Sequence, residues 1–365
     1  MKKILLKISL FLPILFSVVF MNYFVDPANL FRGTPYEQSI AKLLLQGQNV
    51  ANISNYDERL LQKFYIQGLT QKKDIIVLGS SRSMQISTDM FPGKTLFNNS
   101  VSGASVEDFI SIYEMYSQKN LQPSIVIIGL DPWLLNRNNG QTRWKSLISE
   151  YQAGIKRLGF PLEMADYFRL NNIIPDKYFE LISLSYFQES VRYGVKFFLD
   201  INVQGEQAQF YSTNETSADV PIKLSDGSYS YAKSFSSLST SEVRKLAISY
   251  VGDTVYSLES FNELDNNLAL KLESFIGFLQ NNGVDVILFL PPYHPATYEL
   301  LISSDKYKII VEAQQYFSSL AKSRHIVILG SYNPYDVICD ESEFYDGMHT
   351  KKSCIEKIFA DYSDK

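Results

Sequence analysis

The chain has 365 residues, of which 45% are hydrophobic and 20% charged, and its formal net charge is −5. This composition supports a large buried core and excludes a disordered or fibrous chain. The acidic balance argues against a nucleic-acid binder, which would show a basic face, and leaves neutral or cationic substrates and polysaccharides open.

The N-terminus carries a long apolar run directly after two lysines. The run extends from Ile4 to Phe24, is interrupted by Lys7, one proline and a few small polar residues, and has about the 20 residues that a membrane-spanning helix needs. No small-x-small cleavage site follows it, so we predict a transmembrane signal anchor at residues 1–24 in preference to a cleaved signal peptide. Basic residues before the run and Asp26 after it predict a cytoplasmic N-terminus. We therefore expect a single-pass protein of the cytoplasmic membrane whose remaining residues are extracytoplasmic, in the periplasm or at the cell surface.

Residues 25–73 predict a helical spacer beside the membrane. Apolar residues at helical spacing define two faces in this stretch, one with Ile40 and Leu44 and one with Leu61 and Tyr65. Nothing in the stretch has the spacing of a catalytic site.

Five short apolar runs, bounded by polar and turn-forming residues, predict strands that alternate with helical patterns. Such alternation predicts a doubly wound, three-layer α/β fold around a parallel sheet, in a domain that spans residues 74–365. The predicted strands are 74–78, 95–99, 124–128, 284–290 and 325–329.

The stretch from about 140 to 261 is too long for a single crossover connection between two strands. We interpret it as a mixed helical and hairpin insertion that serves as a lid or an acceptor-binding subdomain. Helices are predicted around 144–158 and 178–199, and a hairpin is predicted to turn at 225–228.

Several polar residues and glycines follow the predicted strands. Because parallel strands all end at one edge of their sheet, we expect these residues to converge although they are far apart in sequence. Ser81 is a candidate nucleophile there, although serine and glycine are also ordinary turn residues. His294 is expected either to bind substrate or to be held by local turn geometry. The residues at this edge are Ser81, Gly103, Asp131, His294 and, before the last helix, Asp346 with His349.

Asp346 precedes His349 by three residues, a spacing at which the two side chains can meet across one turn. A carboxylate bonded to one ring nitrogen of a histidine fixes its tautomer and leaves the other nitrogen free to take a proton from a serine. An isolated loop histidine would be read as solvated. Here, the strand-end serine and the Asp-x-x-His pair occur together in the expected order, which favours a Ser-His-Asp triad.

These motifs resemble those of the SGNH (GDSL-type) hydrolase superfamily. Gly79, Ser80 and Ser81 are similar to the Gly-Asp-Ser block, residues 99–103 to the second block, and residues 346–349 to the terminal Asp-x-x-His. The resemblance implies a five-stranded sheet in flavodoxin-like order, with Ser81 as nucleophile, Asp346 and His349 as its partners, and the backbone N–H groups of Ser81 and Gly103 in the oxyanion hole. It points to a membrane-anchored, extracytoplasmic branch that acylates cell-surface polysaccharides, similar to alginate acetylation and teichoic-acid D-alanylation proteins.

The chain departs from this pattern at the third block, where Asp131 replaces the asparagine that would donate to the oxyanion. An ionised Asp131 would repel a developing oxyanion and helps only if it is protonated, or if Asn136 or another donor substitutes. Arg82 would neutralise Asp131, bind a carboxylate of the acyl donor, or lie on the surface.

Cys339 and Cys354 are the two cysteines of the chain, and they bracket the Asp-His pair. They are expected either to form a disulfide, which would hold that loop in register, or to be two free buried thiols. A zinc site that includes His349 is not expected, because it would take the imidazole away from Ser81.

The sequence therefore predicts an extracytoplasmic serine esterase or O-acyltransferase that modifies a cell-envelope polysaccharide. The expected acyl group is acetyl, and no metal or other cofactor is expected. The alternative is a catalytically idle, SGNH-like glycan-binding or scaffold subunit of a membrane complex with a multi-spanning acyltransferase. The expected partners are thus a cell-surface polysaccharide and, for the alternative, that acyltransferase, with no nucleic acid.

Overall fold

Short runs of branched aliphatic residues form a parallel sheet of five strands in the computed structural model. The structure describes residues 2–25, 35–161, 178, 180–184, 187–188, 190–191, 210–252 and 254–363. The strands are β2 (Ile75–Leu78), β3 (Leu96–Asn98), β4 (Ile125–Gly129), β8 (Asp285–Leu290) and β9 (Val327–Gly330), in the order β3-β2-β4-β8-β9. Every neighbouring pair is parallel. The strand that comes first in sequence among these five, β2, lies second in the sheet, which is flavodoxin-like order. The predicted α/β fold with a parallel five-stranded sheet is confirmed.

Helices cover both faces of this sheet, because successive side chains of each strand point to opposite sides. Ile76 and Leu78 pack into the larger hydrophobic cluster, whereas Ile75 and Val77 pack into the smaller one. The larger cluster contains residues of α3 (Glu58–Gly68), α4 (Val106–Gln118), α5 (Ile148–Arg157), α8 (Asn266–Asn281), α9 (Pro295–Ser303) and α10 (Ile309–Arg324). The smaller cluster contains residues of α7 (Thr240–Tyr250) and α11 (Lys352–Ser363). The larger cluster also contains Ile40, Ala41 and Leu44 of α2 (Pro35–Leu45). The remaining described α-helices are α1 (Lys2–Val25) and the short α6 (Lys233–Ser236).

The N-terminal helix α1 corrects the predicted membrane anchor. Among the residues that the structure describes, no helix is long and apolar enough to cross a membrane. The predicted transmembrane helix and the single-pass location in the cytoplasmic membrane are therefore wrong. Lys7 and Asn22 limit the stretch between them to residues 8–21, fewer than the roughly 20 apolar residues that a span requires. Asn22 is fully buried and donates from Nδ2 to the carbonyl oxygens of Leu181 (3.0 Å) and Ser183 (3.2 Å).

A second, smaller sheet joins the segment before β2 to the insertion. Its strands are β1 (Asn49–Ala51), β5 (Tyr211–Thr213), β6 (Ile222–Lys223) and β7 (Tyr229–Ser230), in the order β5-β1-β6-β7. All three pairings are antiparallel. The strand β1 lies within the stretch that was expected to be a helical spacer, and it forms the inside of this sheet.

The insertion has the predicted hairpin turn between β6 and β7, where Leu224 N donates to Ser228 O at 2.9 Å. A 3-10 helix (Arg143–Leu147) leads directly into α5, in place of one helix from 144 to 158. The helix expected at 178–199 lies largely outside the described residues, and 180–182 form a 3-10 turn.

Candidate active site

Ser81 lies just beyond the carboxyl end of β2, in a short 3-10 helix (Ser81–Ser83). The Ser80 side chain caps this turn by accepting from the Arg82 backbone N–H at 3.1 Å. A Cβ on Gly79 would come within 2.5 Å of Ser83 Oγ, so the turn can fold tightly only with glycine there. The turn holds Ser81 half-buried at the edge of the sheet.

The structure brings the predicted Ser81, His349 and Asp346 into one chain of hydrogen bonds. Ser81 Oγ lies 2.9 Å from His349 Nε2, and His349 Nδ1 lies 2.8 Å from Asp346 Oδ2. The other carboxylate oxygen, Asp346 Oδ1, accepts from the backbone N–H groups of Met348 (2.8 Å) and His349 (2.9 Å). Burial would raise the pKa of Asp346, but the His349 imidazole and these N–H groups outweigh it and lower the pKa below its ordinary value. An ionised Asp346 holds the hydrogen on Nδ1 and leaves Nε2 to accept from Ser81.

The loop that carries this pair is tied to its neighbours at both ends. Tyr345 N donates to His349 O at 2.9 Å, and Phe344 pairs with Thr350 as an antiparallel bridge. Outside that bridge, Cys339 and Cys354 form a disulfide with their Cα atoms 5.5 Å apart. The side chains of Asp346 and His349 are therefore fixed by a closed loop rather than by their own conformational preferences.

We expect removal of this disulfide to lower the free energy of unfolding by about 3 kcal/mol, the value for a closed loop of roughly 15 residues. The change is Cys339→Ser together with Cys354→Ser, and denaturant unfolding measures its effect. Reductant should produce the same loss in the wild type and none in the double variant. Equal stability of the two proteins without reductant would contradict the prediction.

Arg82, the residue after Ser81, forms a buried ion pair with Asp131. Arg82 Nη1 donates to Asp131 Oδ1 at 3.0 Å, and both residues are 1% exposed. The guanidinium also donates to Met348 O (3.0 Å) and Pro291 O (2.6 Å), and it lies 4.0 Å from the centre of the Tyr293 ring. Burial raises the pKa of Asp131, an effect that the Arg82 charge opposes.

Of the three alternatives stated for Arg82, the structure shows the first, pairing with Asp131. A guanidinium with no exposed surface does not reach a substrate, so Arg82 instead connects the β4 end, the β8 end and the His349 loop. The Asp131 carboxylate accepts a hydrogen bond from Arg82. An ionised carboxylate has no hydrogen to donate to an oxyanion. Asn136 does not substitute for it, because its Nδ2 donates to Ser257 O (2.9 Å) and Glu259 O (3.3 Å).

Of the two alternatives stated for His294, the structure shows the second, a histidine held by local turn geometry. It is fully buried, its Nδ1 accepts from Ala296 N at 3.1 Å as the cap of α9, and burial lowers its pKa. Its backbone N–H donates to Gly347 O at 3.1 Å, which holds the loop between Asp346 and His349. His294 therefore supports the loop that carries Asp346 and His349.

Gly103 lies in the loop after β3, which is hydrogen-bonded to the loop that leads to Ser81. Val101 N donates to Gly79 O at 2.9 Å, so the segments that lead to Gly103 and to Ser81 are adjacent at this point. Gly103 has a φ of +58°, a left-handed conformation that favours glycine. Its Cα is also surrounded by polar atoms, since a Cβ there would lie within 3 Å of side chains of the insertion.

The hairpin of the insertion forms a wall of the site that sequence reasoning did not assign. Tyr229 N donates to Met84 O at 2.9 Å, which fixes β7 against the segment that follows Ser81. Tyr231, two residues later, has its ring centre 6.0 Å from that of His349 and 4.7 Å from that of Tyr345. The Phe235 ring stacks on Tyr345 at 5.7 Å and extends this aromatic cluster. The sequence signal for such a cluster is the large number of Tyr and Phe residues, which does not indicate which of them lie at the site.

Together these observations define a doubly wound α/β protein with a hydrogen-bonded Ser-His-Asp set at the carboxyl edge of its sheet. The chain belongs to the family described as "Protein of unknown function (DUF1574)", whose model matches residues 4–361. No curated protein matched the chain.

Proposed function

We propose that the chain is a serine esterase or O-acyltransferase of the SGNH type. The observation that carries the proposal is the continuous contact from Ser81 Oγ through His349 to Asp346, with distances of 2.9 and 2.8 Å. These are the separations that proton transfer from a serine to a histidine requires. The Gly103 loop, which is hydrogen-bonded to the loop that leads to Ser81, and the flavodoxin-like strand order support the same assignment.

The first half of the reaction transfers an acyl group to Ser81. Ser81 Oγ attacks the carbonyl carbon of an ester while His349 Nε2 takes the hydroxyl proton, and Asp346 stabilises the imidazolium. The backbone N–H groups of Ser81 and Gly103 stabilise the negative oxygen of the tetrahedral intermediate. The C–O bond to the leaving group then breaks, and the proton on His349 passes to the leaving oxygen.

The second half releases the acyl group to a hydroxyl acceptor. His349 removes the acceptor proton as its oxygen attacks the acyl carbon, and the proton returns to Ser81 Oγ when the acyl bond breaks. Water as acceptor gives hydrolysis, and a sugar hydroxyl gives transfer. Tyr231 and Phe235 support a carbohydrate acceptor, because these half-buried rings, packed on the buried Tyr345, offer apolar faces to a sugar ring.

The test uses the full chain with p-nitrophenyl acetate and a fluorophosphonate probe. We expect the wild type to release p-nitrophenolate and to be labelled on Ser81, and Ser81→Ala to lose both. Ser303→Ala is the matched control, since Ser303 is exposed and its hydroxyl donates only to Leu300 O within α9. Absence of both turnover and labelling in the wild type would overturn the proposal.

The second candidate is a catalytically idle glycan-binding or scaffold subunit that works with a multi-spanning acyltransferase. The observation that favours it is the Asp131 carboxylate, which stands where the related pattern has a donating asparagine and is held by Arg82. Cells with Ser81→Ala distinguish the two. Unchanged surface acylation with this variant, together with its loss when the chain is deleted, would favour the scaffold.

A further inference from the structure

The loop at 255–260, at the end of the insertion, is held in a strained conformation beside the site. Ser257 and Ser260 have φ values of 56° and 54°, in the left-handed region that non-glycine residues rarely adopt. Asn136 Nδ2 donates to Ser257 O at 2.9 Å, and Asn138 Nδ2 donates to Ser260 O at 3.0 Å. Side chains that follow β4 thus fix the loop, and such strain persists where the surroundings impose it.

This loop presents one aromatic side chain, Tyr256, which is 38% exposed. Its ring meets the fully buried Trp133 edge-on, with centres 5.5 Å apart at 84°. Trp133 in turn donates from Nε1 to Ala104 O at 3.1 Å. The ring is therefore packed against the segment that contains Gly103, independently of its hydroxyl group.

The Tyr256 hydroxyl lies at Gly103. A Cβ on Gly103 would be 2.3 Å from Tyr256 Oη, 2.5 Å from Gln141 Oε1 and 2.7 Å from Arg143 Nη2. Tyr256 Oη accepts from Gln141 Nε2 at 3.0 Å and from Arg143 Nη2 at 3.1 Å. In the described part of the chain its own hydrogen meets no acceptor. Because two donors fill its lone pairs, one of them a guanidinium, the remaining O–H is a strengthened donor.

We propose that the Tyr256 hydroxyl is the third donor of the oxyanion hole, in place of the asparagine for which Asp131 stands. This inference rests on the proposed function. The Tyr256 hydroxyl joins the N–H groups of Ser81 and Gly103 at the carbonyl oxygen of the ester, and its hydrogen bond strengthens as that oxygen becomes negative. Arg143 and Gln141 orient and polarise the hydroxyl. The donor thus comes from the insertion rather than from the β4 loop.

The test compares Tyr256→Phe with the wild type in ester turnover. This variant removes Oη alone and keeps the ring on Trp133, so we expect kcat/KM for p-nitrophenyl acetate to fall roughly 10²–10³-fold with an unchanged melting temperature. Tyr335→Phe is the matched control, because Tyr335 is exposed and its hydroxyl donates to Glu299 Oε1 on the surface. We expect it to keep the wild-type rate.

A trifluoromethyl ketone provides the readout that a merely structural role would not move. Its adduct with Ser81 carries a negative oxygen in the hole, so its affinity should fall in proportion to kcat/KM in Tyr256→Phe. Retention of the rate within threefold, or loss of rate without loss of ketone affinity, would overturn the inference. If Ser81→Ala is inactive, either of these results contradicts only the role of Tyr256, and the proposed function is unaffected. An inactive and unlabelled wild type overturns both.

Discussion

Arg82→Met is expected to lower the free energy of unfolding by about 3–5 kcal/mol, the usual cost of removing one partner of a buried ion pair. The Asp131 carboxylate, 1% exposed, would stay behind without its cation. The carbonyl oxygens of Met348 and Pro291 would lose their donors as well. Urea unfolding at neutral pH measures the change, and ester turnover should fall with it because Met348 precedes His349.

Two further variants separate the buried charge from a general loss of arginine. Arg82→Met combined with Asp131→Leu should recover much of the lost stability, since an apolar pair of similar volume often replaces a buried ion pair at little cost. Arg244→Met breaks the exposed pair of Arg244 with Glu341 and should cost less than about 1 kcal/mol. Equal effects of Arg82→Met and Arg244→Met would contradict the structural role of Arg82.

Asp346→Asn is expected to reduce kcat for ester turnover about 10⁴-fold, as loss of the orienting carboxylate does in Ser-His-Asp enzymes. The amide can donate to His349 Nδ1, which favours the tautomer whose Nε2 carries a hydrogen and cannot accept from Ser81. Steady-state kinetics and the rate of fluorophosphonate labelling measure the effect. Asp305→Asn, at a carboxylate whose side chain is 96% exposed, is the control and should keep the wild-type rate.

The same variant gives the acid dependence of stability a definite sign. The pKa of Asp346 is lower in the folded protein than its ordinary value, so the ionised group stabilises the fold. That contribution is complete above the unfolded pKa of about 4 and is lost as the pH falls through the folded pKa. The difference in unfolding free energy between the wild type and Asp346→Asn should therefore shrink in acid.

A kcat of Asp346→Asn within tenfold of the wild-type value would exclude the proposed role of Asp346 in orienting His349.

The parts of the site that follow from local patterns were predictable, and the parts that depend on distant packing were not. Runs such as Ile75–Leu78 mark buried strands by themselves, and convergence of parallel strand ends then brings Ser81 to His349. No local pattern shows that an arginine will be buried, so the burial of Arg82 beside Asp131 could be seen only in the structure. Tyr231 and Tyr256 lie in a long insertion whose register against the sheet edge has no sequence signal.

The N-terminal expectation failed for a related reason. The predicted membrane span was based only on the number of apolar residues along the chain. The burial of Asn22 depends instead on its contacts with Leu181 and Ser183, which are far away in sequence. The predicted spacer at residues 25–73 was likewise assigned from helical periodicity. A three-residue strand such as β1 is too short for periodicity to detect.

The position of β1 sets where the functional unit begins. It lies between β5 and β6, so these two strands of the insertion pair with a segment that precedes the first strand of the main sheet. Glu58 and Arg59 strengthen this dependence, since Glu58 Oε1 accepts from Ser102 Oγ (2.9 Å) and Arg59 Nε donates to Asp108 Oδ1 (2.8 Å). A chain shortened to start at residue 74 would keep Ser81, Asp346 and His349 but lose the support of the hairpin and of the Gly103 loop. The segment needed to complete the site therefore begins before β2 and includes β1 (Asn49–Ala51).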